Sequence, residues 1–290
     1  MVSDSIRKVA IVGGTHGNEL TGVYLIKKFD RFPVLLHQES FECLTLLANP
    51  GAIEENRRYI DRDLNRCFSK DDLANLELAS YEDKRTQEIA AQLTDVDFII
   101  DLHSSTANMG LTIILSSSHP TNLRLAAYLS RIHPDVRVLH GVNCDPMLLS
   151  LSLLGCAIEV GAIAQGVLNA QLFQQTEMLI HAILDYLDAM NMGQPLPVPA
   201  DVNVFQAFSS IDYPRNSAGE IQAMIHPQLQ FQDYQPLHPG EPMFLTFAGE
   251  TISYQGESTV FPLFINEAAY IEKGVAMTFS NKQQLTIEAV

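Results

Sequence analysis

Two histidines and a glutamate in the first 103 residues have the chemistry of metal ligands. His16 and Glu19 are three residues apart, and His103 follows the apolar run 98–102. Neutral imidazoles and a carboxylate are zinc ligands, and three protein ligands with one open position are typical of a catalytic zinc site. The spacing His-x-x-Glu also suits a turn histidine followed by an acid in the first turn of a helix. Our hypothesis is therefore that these three residues bind one zinc ion per chain.

Two acids accompany these residues. Asp101 precedes His103 by two positions, so both side chains share one face of a strand, and Asp101 is predicted to orient the imidazole. Glu159 is the one carboxylate in the apolar run 157–161. We interpret Glu159 as a general base, because an apolar setting beside a metal can hold a carboxyl pKa where proton transfer is useful. The alternative for each is a structural acid without a catalytic role. Asp101 would then lie at the rim of the sheet in solvent, and Glu159 would point to water from the edge of a pleat.

Segment 57–66 contains four of the eighteen basic residues of this chain. Arginine binds planar anions such as carboxylates well, so we interpret the segment as an anion-binding loop. The alternative is a solvated charged loop. Tyr59, Ile60 and Leu64 lie in the same segment and indicate that part of it is packed.

Strands alternate with helices over the first 190 residues. β-Branched and apolar runs predict strands at 8–13, 41–48, 98–103, 112–115, 136–140 and 156–160, and periodic runs predict helices at 19–29, 81–93, 121–132 and 170–190. This alternation is typical of a layered α/β domain, whose ligand sites lie at the carboxyl ends of strands. His16, His103 and Glu159 all fall at such ends.

Three prolines at alternate positions, 195, 197 and 199, suit an extended linker. We therefore predict a boundary between a domain at 1–194 and a second domain at 195–290. Short aromatic and β-branched runs follow at 202–208, 220–225, 243–247, 260–265 and 276–279, so the second domain is predicted to be mostly β.

Composition limits the classes of function. The chain has 290 residues, is 47% hydrophobic and carries a formal charge of -16, which disfavours nucleic acid and anionic membranes as partners. The four cysteines are scattered, which disfavours a disulfide scaffold. No signal peptide or membrane-spanning run is recognisable, so we predict a soluble, cytoplasmic protein. A homo-oligomer such as a homodimer is compatible with the sequence, which does not determine the oligomeric state.

Six motifs make the chain resemble the aspartoacylase family of the zinc carboxypeptidase-like group, which includes succinylglutamate desuccinylases. They are GGTHGNELTG at 13–22, RYIDRDLNR at 58–66, DLH at 101–103, IEVG at 158–161, DYPR at 212–215 and NEAAY at 266–270. The resemblance implies a layered α/β/α domain with a mixed sheet, followed by a smaller, mostly β domain that closes over the active site.

By this resemblance His16, Glu19 and His103 bind zinc, Glu159 is the general base, and Arg58 polarises the scissile carbonyl. The implied reaction is the hydrolysis of a small anionic N-acyl amino acid, with N-acetyl-L-aspartate giving acetate and aspartate as the expected case. The alternatives are a related amidohydrolase or carboxypeptidase-type activity, or a metal-dependent binding module without turnover.

The resemblance also assigns the substrate contacts. Asn65 and Arg66 would hold the substrate's α-carboxylate, and Tyr270 would reach the substrate from the second domain. Glu267 would support that contact.

One departure from the family concerns specificity. In the family, an arginine and a tyrosine that bind the side-chain carboxylate of aspartate lie in the segment before the general base. In this chain, Leu149 and Asp145 occupy those two positions before Glu159. An unpaired carboxylate in a closed site is costly to bury, so the preference for aspartate should be weak. Two cations could substitute, Arg62 or Lys273, and the sequence does not rank them.

Overall fold

A nine-stranded mixed sheet forms the centre of the computed structural model, which describes residues 5–75, 77, 79–141 and 146–287. Its order is β11-β12-β7-β5-β4-β6-β3-β1-β2, and a separate three-stranded sheet has the order β10-β9-β8. The strands are β1 (Lys8–Gly13), β2 (Glu42–Leu47), β3 (Phe98–Ser104), β4 (Gly110–Leu115), β5 (Val136–His140), β6 (Leu154–Gly161), β7 (Asp201–Ile211), β8 (Ala223–Ile225), β9 (Pro242–Thr246), β10 (Thr251–Ser253), β11 (Phe261–Leu263) and β12 (Met277–Thr286).

Helices cover both faces of the sheet. They are α1 (Leu20–Arg31), α2 (Pro50–Glu54), α3 (Lys70–Ala74), α4 (Tyr81–Gln92), α5 (Pro120–Ile132) and α6 (Ala170–Asn191). The buried faces of α1, α5 and α6 share one core, which includes Phe29, Leu125 and Leu184. Helix α4 contributes Ile89 to a second core on the other face, together with Phe68. The expected α/β/α layering is confirmed.

The carboxyl ends of three neighbouring parallel strands meet at one edge of the sheet. β1 pairs with β3, and β3 pairs with β6, in both cases in parallel. The register places His103 directly opposite Glu159. After β1 the chain turns at Gly14, whose φ of +69° is a conformation that L side chains rarely adopt. Gly17 then packs so closely on α2 that a Cβ would lie 2.1 Å from the Ala52 carbonyl carbon.

The chain after residue 194 is mostly β, as expected, but only some of its strands form a separate sheet. β7 pairs with β5 at Leu139↔Phe205 and His140↔Gln206, so β7, β12 and β11 continue the large sheet. Strands β8 to β10 form the smaller sheet over a separate core. The boundary at residue 195 stays a prediction.

No helix in the described part of the chain is long and apolar enough to cross a membrane. Cys43, Cys67 and Cys156 are free thiols, and Cys144 lies outside the described residues.

Candidate metal centre and active site

The structure brings the three proposed metal ligands together. His16 Nδ1 lies 2.6 Å from Glu19 Oε1, His103 Nδ1 lies 3.1 Å from Glu19 Oε2, and the two Nδ1 atoms are 3.3 Å apart. All three residues are buried. Tetrahedral zinc with ligands at about 2.0–2.1 Å holds neighbouring donor atoms about 3.3 Å apart, so the two longer separations suit such a site. The His16–Glu19 separation is a hydrogen-bond distance.

Asp101 determines which nitrogen of His103 faces the cluster. His103 Nε2 lies 2.7 Å from Asp101 Oδ2, and Thr15 Oγ1 donates to Asp101 Oδ1 at 2.8 Å. A neutral imidazole that donates from Nε2 presents a bare Nδ1 to the Glu19 carboxylate and to His16. Acceptors that face one another at this distance are held together by a shared cation, either a proton or a metal ion. The donor set therefore fits a bound metal ion.

The electrostatics of the cluster agree with this reading. Burial alone would lower the pKa of His103, but the carboxylates of Asp101 and Glu19 raise it well above its usual range. Burial alone would raise the pKa of Glu19, but His16 and His103 hold it well below its usual range. The carboxylate of Glu19 and the cationic form of His103 thus stabilise each other, so this position favours positive charge.

Asp63 is a member of the site that the sequence analysis did not single out. Its Oδ1 lies 3.2 Å from His16 Nε2 and accepts the backbone N–H of Asn65 at 3.1 Å. Its Oδ2 accepts from Arg58 Nη2 at 3.3 Å and from Lys273 Nζ at 2.6 Å. Burial alone would raise the pKa of Asp63, but these partners hold it far below its usual range. The available signal was an acid inside the arginine-rich segment 57–66.

Arg58 is held beside the proposed metal ligands. Nη1 donates to Glu19 Oε1 at 3.1 Å, and the backbone oxygen of Arg58 accepts the N–H of Gly17 at 3.2 Å. Its Nε is buried and has no hydrogen-bond partner within the described residues. A buried N–H donor without an acceptor is costly, so Arg58 offers one donor to a ligand in this cavity.

One cavity of about 70 Å³ is lined by all eight residues predicted to bind zinc, catalyse the reaction or contact the substrate. They are His16, Glu19, Arg58, Asn65, Arg66, His103, Glu159 and Tyr270. Glu159 is 8% exposed on its wall. Burial raises the pKa of Glu159 well above its usual range, while His103 opposes that shift. The side chain is thus inside the apolar strand, as expected, and faces the cavity rather than bulk solvent.

Neighbouring residues anchor the Asn65–Arg66 corner of the cavity. Asn65 Oδ1 accepts the backbone N–H of Leu148 at 2.9 Å, and Arg66 Nη1 donates to the backbone oxygen of Asn65 at 2.7 Å. The guanidinium has five N–H donors, and among the described residues it makes this one hydrogen bond, so further donors can bind an anion.

The C-terminal region reaches the same cavity through the 3₁₀ helix Ala268–Lys273. Glu267 Oε2 accepts the backbone N–H groups of Thr106 at 2.8 Å and Ala107 at 3.2 Å, which follow β3. These bonds hold the helix against the end of the strand that carries His103. Tyr270, on this helix, is part of the cavity wall, and burial raises its pKa above its usual range.

The wall near the predicted specificity position is apolar. Leu149 lines the cavity with Ile114, Met147 and Ala157, whereas Asp145 lies outside the described residues.

The two candidate substitute cations differ in their surroundings. Arg62 does not line the cavity, and it forms ion pairs with Asp83 at 2.8 Å and Asp72 at 3.5 Å. Lys273 lies beside the site, with Nζ 5.6 Å from the centre of the Tyr270 ring.

An α/β/α sheet with a buried His-Glu-His cluster at its carboxyl edge defines a candidate metallohydrolase. Residues 5–187 match the family model described as succinylglutamate desuccinylase/aspartoacylase catalytic domain, and residues 200–282 match the AstE/AspA barrel-sandwich hybrid domain. The chain belongs to this family of hydrolases, and the resemblance noted from its motifs is confirmed.

Relatives within the family carry two kinds of name. The chain is 54% identical to a probable aspartoacylase of Nostoc sp., over 97% of this chain and 98% of that protein. It is 38% identical to a human N-acyl-aromatic-L-amino acid amidohydrolase (carboxylate-forming), over 99% of this chain and 94% of the relative. The crystal structure of murine aminoacylase 3 superposes with a TM-score of 0.93 at 39% identity and covers 99% of both chains.

Proposed function

We propose that the chain is a zinc-dependent deacylase of N-acyl-L-amino acids and that N-acetyl-L-aspartate is one of its substrates. One observation carries the proposal. The cavity collects three metal-binding donors, a buried carboxylate and an arginine with an unpartnered N–H. The names of the two relatives reported above, probable aspartoacylase and N-acyl-aromatic-L-amino acid amidohydrolase, support the same class of reaction.

His16, Glu19 and His103 would hold the metal. Zinc bound there supplies a Lewis acid for the scissile carbonyl and lowers the pKa of water. Asp63 and Asp101 each contact the ring nitrogen of one histidine that points away from the cluster, and so hold both rings in place.

Glu159 would move the proton. As a carboxylate it accepts a proton from the attacking water, and as a carboxylic acid it gives that proton to the leaving amine nitrogen. Its burial supports this double role, because burial raises the pKa of Glu159 well above its usual range and so favours keeping a proton taken from water. A carboxyl group in bulk solvent, with a pKa of about 4.3, would be almost fully ionised at neutral pH and would seldom hold the proton needed for the second step.

Arg58 would donate to the carbonyl oxygen as it gains negative charge, since its Nε–H is buried without an acceptor. Asn65 and Arg66 would hold the α-carboxylate, and Tyr270 would close the cavity over the bound substrate. These cations give a local positive field inside a chain of formal charge -16, so an anionic substrate is compatible with the overall charge.

The apolar wall favours a second class of substrate within the same reaction. Leu149, Ile114 and Ala157 would contact an uncharged side chain without leaving a carboxylate unpaired. N-acyl derivatives of apolar amino acids, including aromatic ones, are therefore the second candidate.

A substrate panel tests the proposal. N-acetyl-L-aspartate, N-acetyl-L-methionine, N-acetyl-L-tyrosine and a short peptide are incubated with zinc-loaded protein, and the acid and amine products are quantified. We expect equimolar acetate and free amino acid from the acetylated amino acids. Release only of a C-terminal residue from the peptide would instead support a carboxypeptidase, and binding without any product would support a non-catalytic module.

A further inference from the structure

Glu82 lies in the first turn of α4 and is fully buried, but it does not line the active-site cavity. Its side chain accepts four hydrogen bonds, and all four donors are neutral. Three are the consecutive backbone N–H groups of Ile60, Asp61 and Arg62, at 2.7, 2.9 and 3.2 Å. The fourth is the side-chain amide of Asn49, at 3.2 Å. A carboxylate has about four acceptor sites, so these donors match its full capacity.

The three backbone donors belong to segment 58–66, which carries the proposed substrate contacts. Arg58 lies two residues before Ile60, and Asn65 and Arg66 follow Arg62 by three and four residues. Residues 57–63 form neither helix nor strand, so no backbone ladder determines their shape. The position of the segment therefore depends on contacts with its surroundings, and Glu82 provides three of them in a row.

The first turn of α4 adds two further contacts beside Glu82. The backbone N–H of Tyr81 donates to Asp61 Oδ2 at 2.8 Å, and Arg62 Nη1 donates to Asp83 Oδ1 at 2.8 Å. A capping box between Ser80 and Asp83 fixes the start of this helix. The segment thus rests on a well-defined helix end.

The hydrogen bond to Asn49 connects Glu82 with the turn that carries two of the proposed metal ligands. Asn49 Oδ1 accepts the backbone N–H of Ala52 at 3.3 Å and so caps α2, on which Gly17 packs. The backbone N–H of Gly17 in turn donates to the Arg58 oxygen at 3.2 Å. Glu82 therefore lies where the substrate segment and the support of the metal-ligand turn meet.

We propose that Glu82 is a positioning residue, which sets the places of Arg58 and Arg66 in the cavity through the backbone of residues 60–62. The proposal rests on the deacylase function proposed above. It adds to that function a residue that touches neither the metal ligands nor the cavity. Loss of one acceptor would let the segment shift, and a displacement of about 1 Å in a catalytic group can cost about 10²-fold in rate.

Two variants of Glu82 test the proposal. Glu82→Gln keeps the size of the side chain but replaces one acceptor oxygen by an amide group that faces N–H donors. Glu82→Asp keeps both oxygens on a side chain one methylene shorter, and it carries the test if Glu82→Gln does not fold.

Asn122→Asp is the matched control. Asn122 is also fully buried, and its amide holds the Leu153 oxygen and the Gly155 N–H at the start of β6, the opposite end of that strand from Glu159. This change likewise exchanges amide and carboxylate in a buried hydrogen-bond network, but away from segment 58–66.

Hydrogen exchange across 58–66, zinc content, thermal stability, kcat and KM are measured for the wild type and each variant. The substrates are N-acetyl-L-methionine and N-acetyl-L-aspartate. In Glu82→Gln we expect exchange in the segment to accelerate and KM to rise about tenfold, with zinc content near one per chain. Glu82→Asp should lie between Glu82→Gln and the wild type. The control should lose thermal stability but keep the wild-type KM and the wild-type exchange in the segment.

A double-mutant cycle with Arg66→Met tests the route from Glu82 to the substrate. If Glu82 acts by placing Arg66, Glu82→Gln should raise the KM of Arg66→Met by no more than about threefold, because the contact that it supports is already lost. The same factor in both backgrounds would show that Glu82 does not act through Arg66.

Other results would also overturn the proposal. Wild-type exchange and KM in both Glu82 variants, or in Glu82→Asp where Glu82→Gln does not fold, would show that Glu82 does not position the segment. Equal effects on KM in Glu82→Gln and Asn122→Asp would reduce Glu82 to a general stabilising residue. Absence of wild-type turnover would overturn the deacylase function, and hydrogen exchange would still decide whether Glu82 anchors segment 58–66.

Discussion

Replacing Asp101 by asparagine separates the charge of this side chain from its shape. The amide oxygen can still accept from His103 Nε2, where the present distance is 2.7 Å, and the amide nitrogen can face Thr15 Oγ1, now at 2.8 Å. Asp101 is 1% exposed, so bulk water cannot compensate for the lost charge. The imidazole then becomes a weaker metal ligand. We expect zinc affinity to fall about 10- to 100-fold, or roughly 1.4–2.7 kcal/mol.

Competition with a chelator of known zinc affinity measures this change at fixed pH. Asp97→Asn is the matched control, since Asp97 accepts the backbone N–H groups of Arg7 and Lys8 just before β3, away from the cluster. The control should keep the wild-type affinity, and circular dichroism should show the same fold in all three proteins. If Asp101→Asn bound zinc within twofold of the wild type, the charge of Asp101 would not strengthen His103 as a metal ligand.

Four further outcomes are expected. His103→Ala should abolish zinc binding while the fold persists, as metal analysis and circular dichroism can check; retained stoichiometric zinc would contradict the ligand set. Glu159→Gln should bind zinc and substrate but turn over roughly 10²-fold or more slowly, and near-native turnover would make Glu159 a structural acid. The kcat/KM preference for N-acetylaspartate over N-acetylmethionine and N-acetylalanine should stay below roughly 10³-fold, because Leu149 replaces a cation; a larger preference would contradict that interpretation. Burial raises the pKa of Asp233 to about 6, so the native state keeps this proton to a higher pH than the unfolded chain does. The free energy of unfolding should therefore fall by roughly 2.4 kcal/mol from pH 4 to pH 7 relative to Asp233→Asn, which urea titrations can test; parallel pH profiles would refute it.

The positions of the three proposed ligands could be predicted to lie together, because local patterns encode the strand ends that carry them. His16 and Glu19 follow a strand that ends in glycines, and His103 ends an apolar run. Parallel pairing of β1, β3 and β6 then brings these ends together. Glu159 was recognisable for the same reason, as a lone acid in a buried strand.

Asp63 and Lys273 could not be assigned in this way. Their mutual contact spans 210 positions in the sequence, and the contact of Asp63 with His16 spans 47. No periodicity encodes such pairs, because they depend on where the 3₁₀ helix Ala268–Lys273 docks. The continuation of the large sheet into the C-terminal region was equally hidden, since the β5–β7 pairing has only two residue pairs in register.

We propose that His16, Glu19 and His103 hold a zinc ion without which Glu159 cannot deacylate a substrate. The most direct measurement follows acetate and amino acid release from N-acetyl-L-aspartate and N-acetyl-L-methionine by the native, metal-stripped and zinc-restored protein. We predict equimolar products from the native protein, loss of release on stripping, and recovery with about one zinc per chain. Full activity in protein shown to be free of metal would contradict a zinc-dependent reaction.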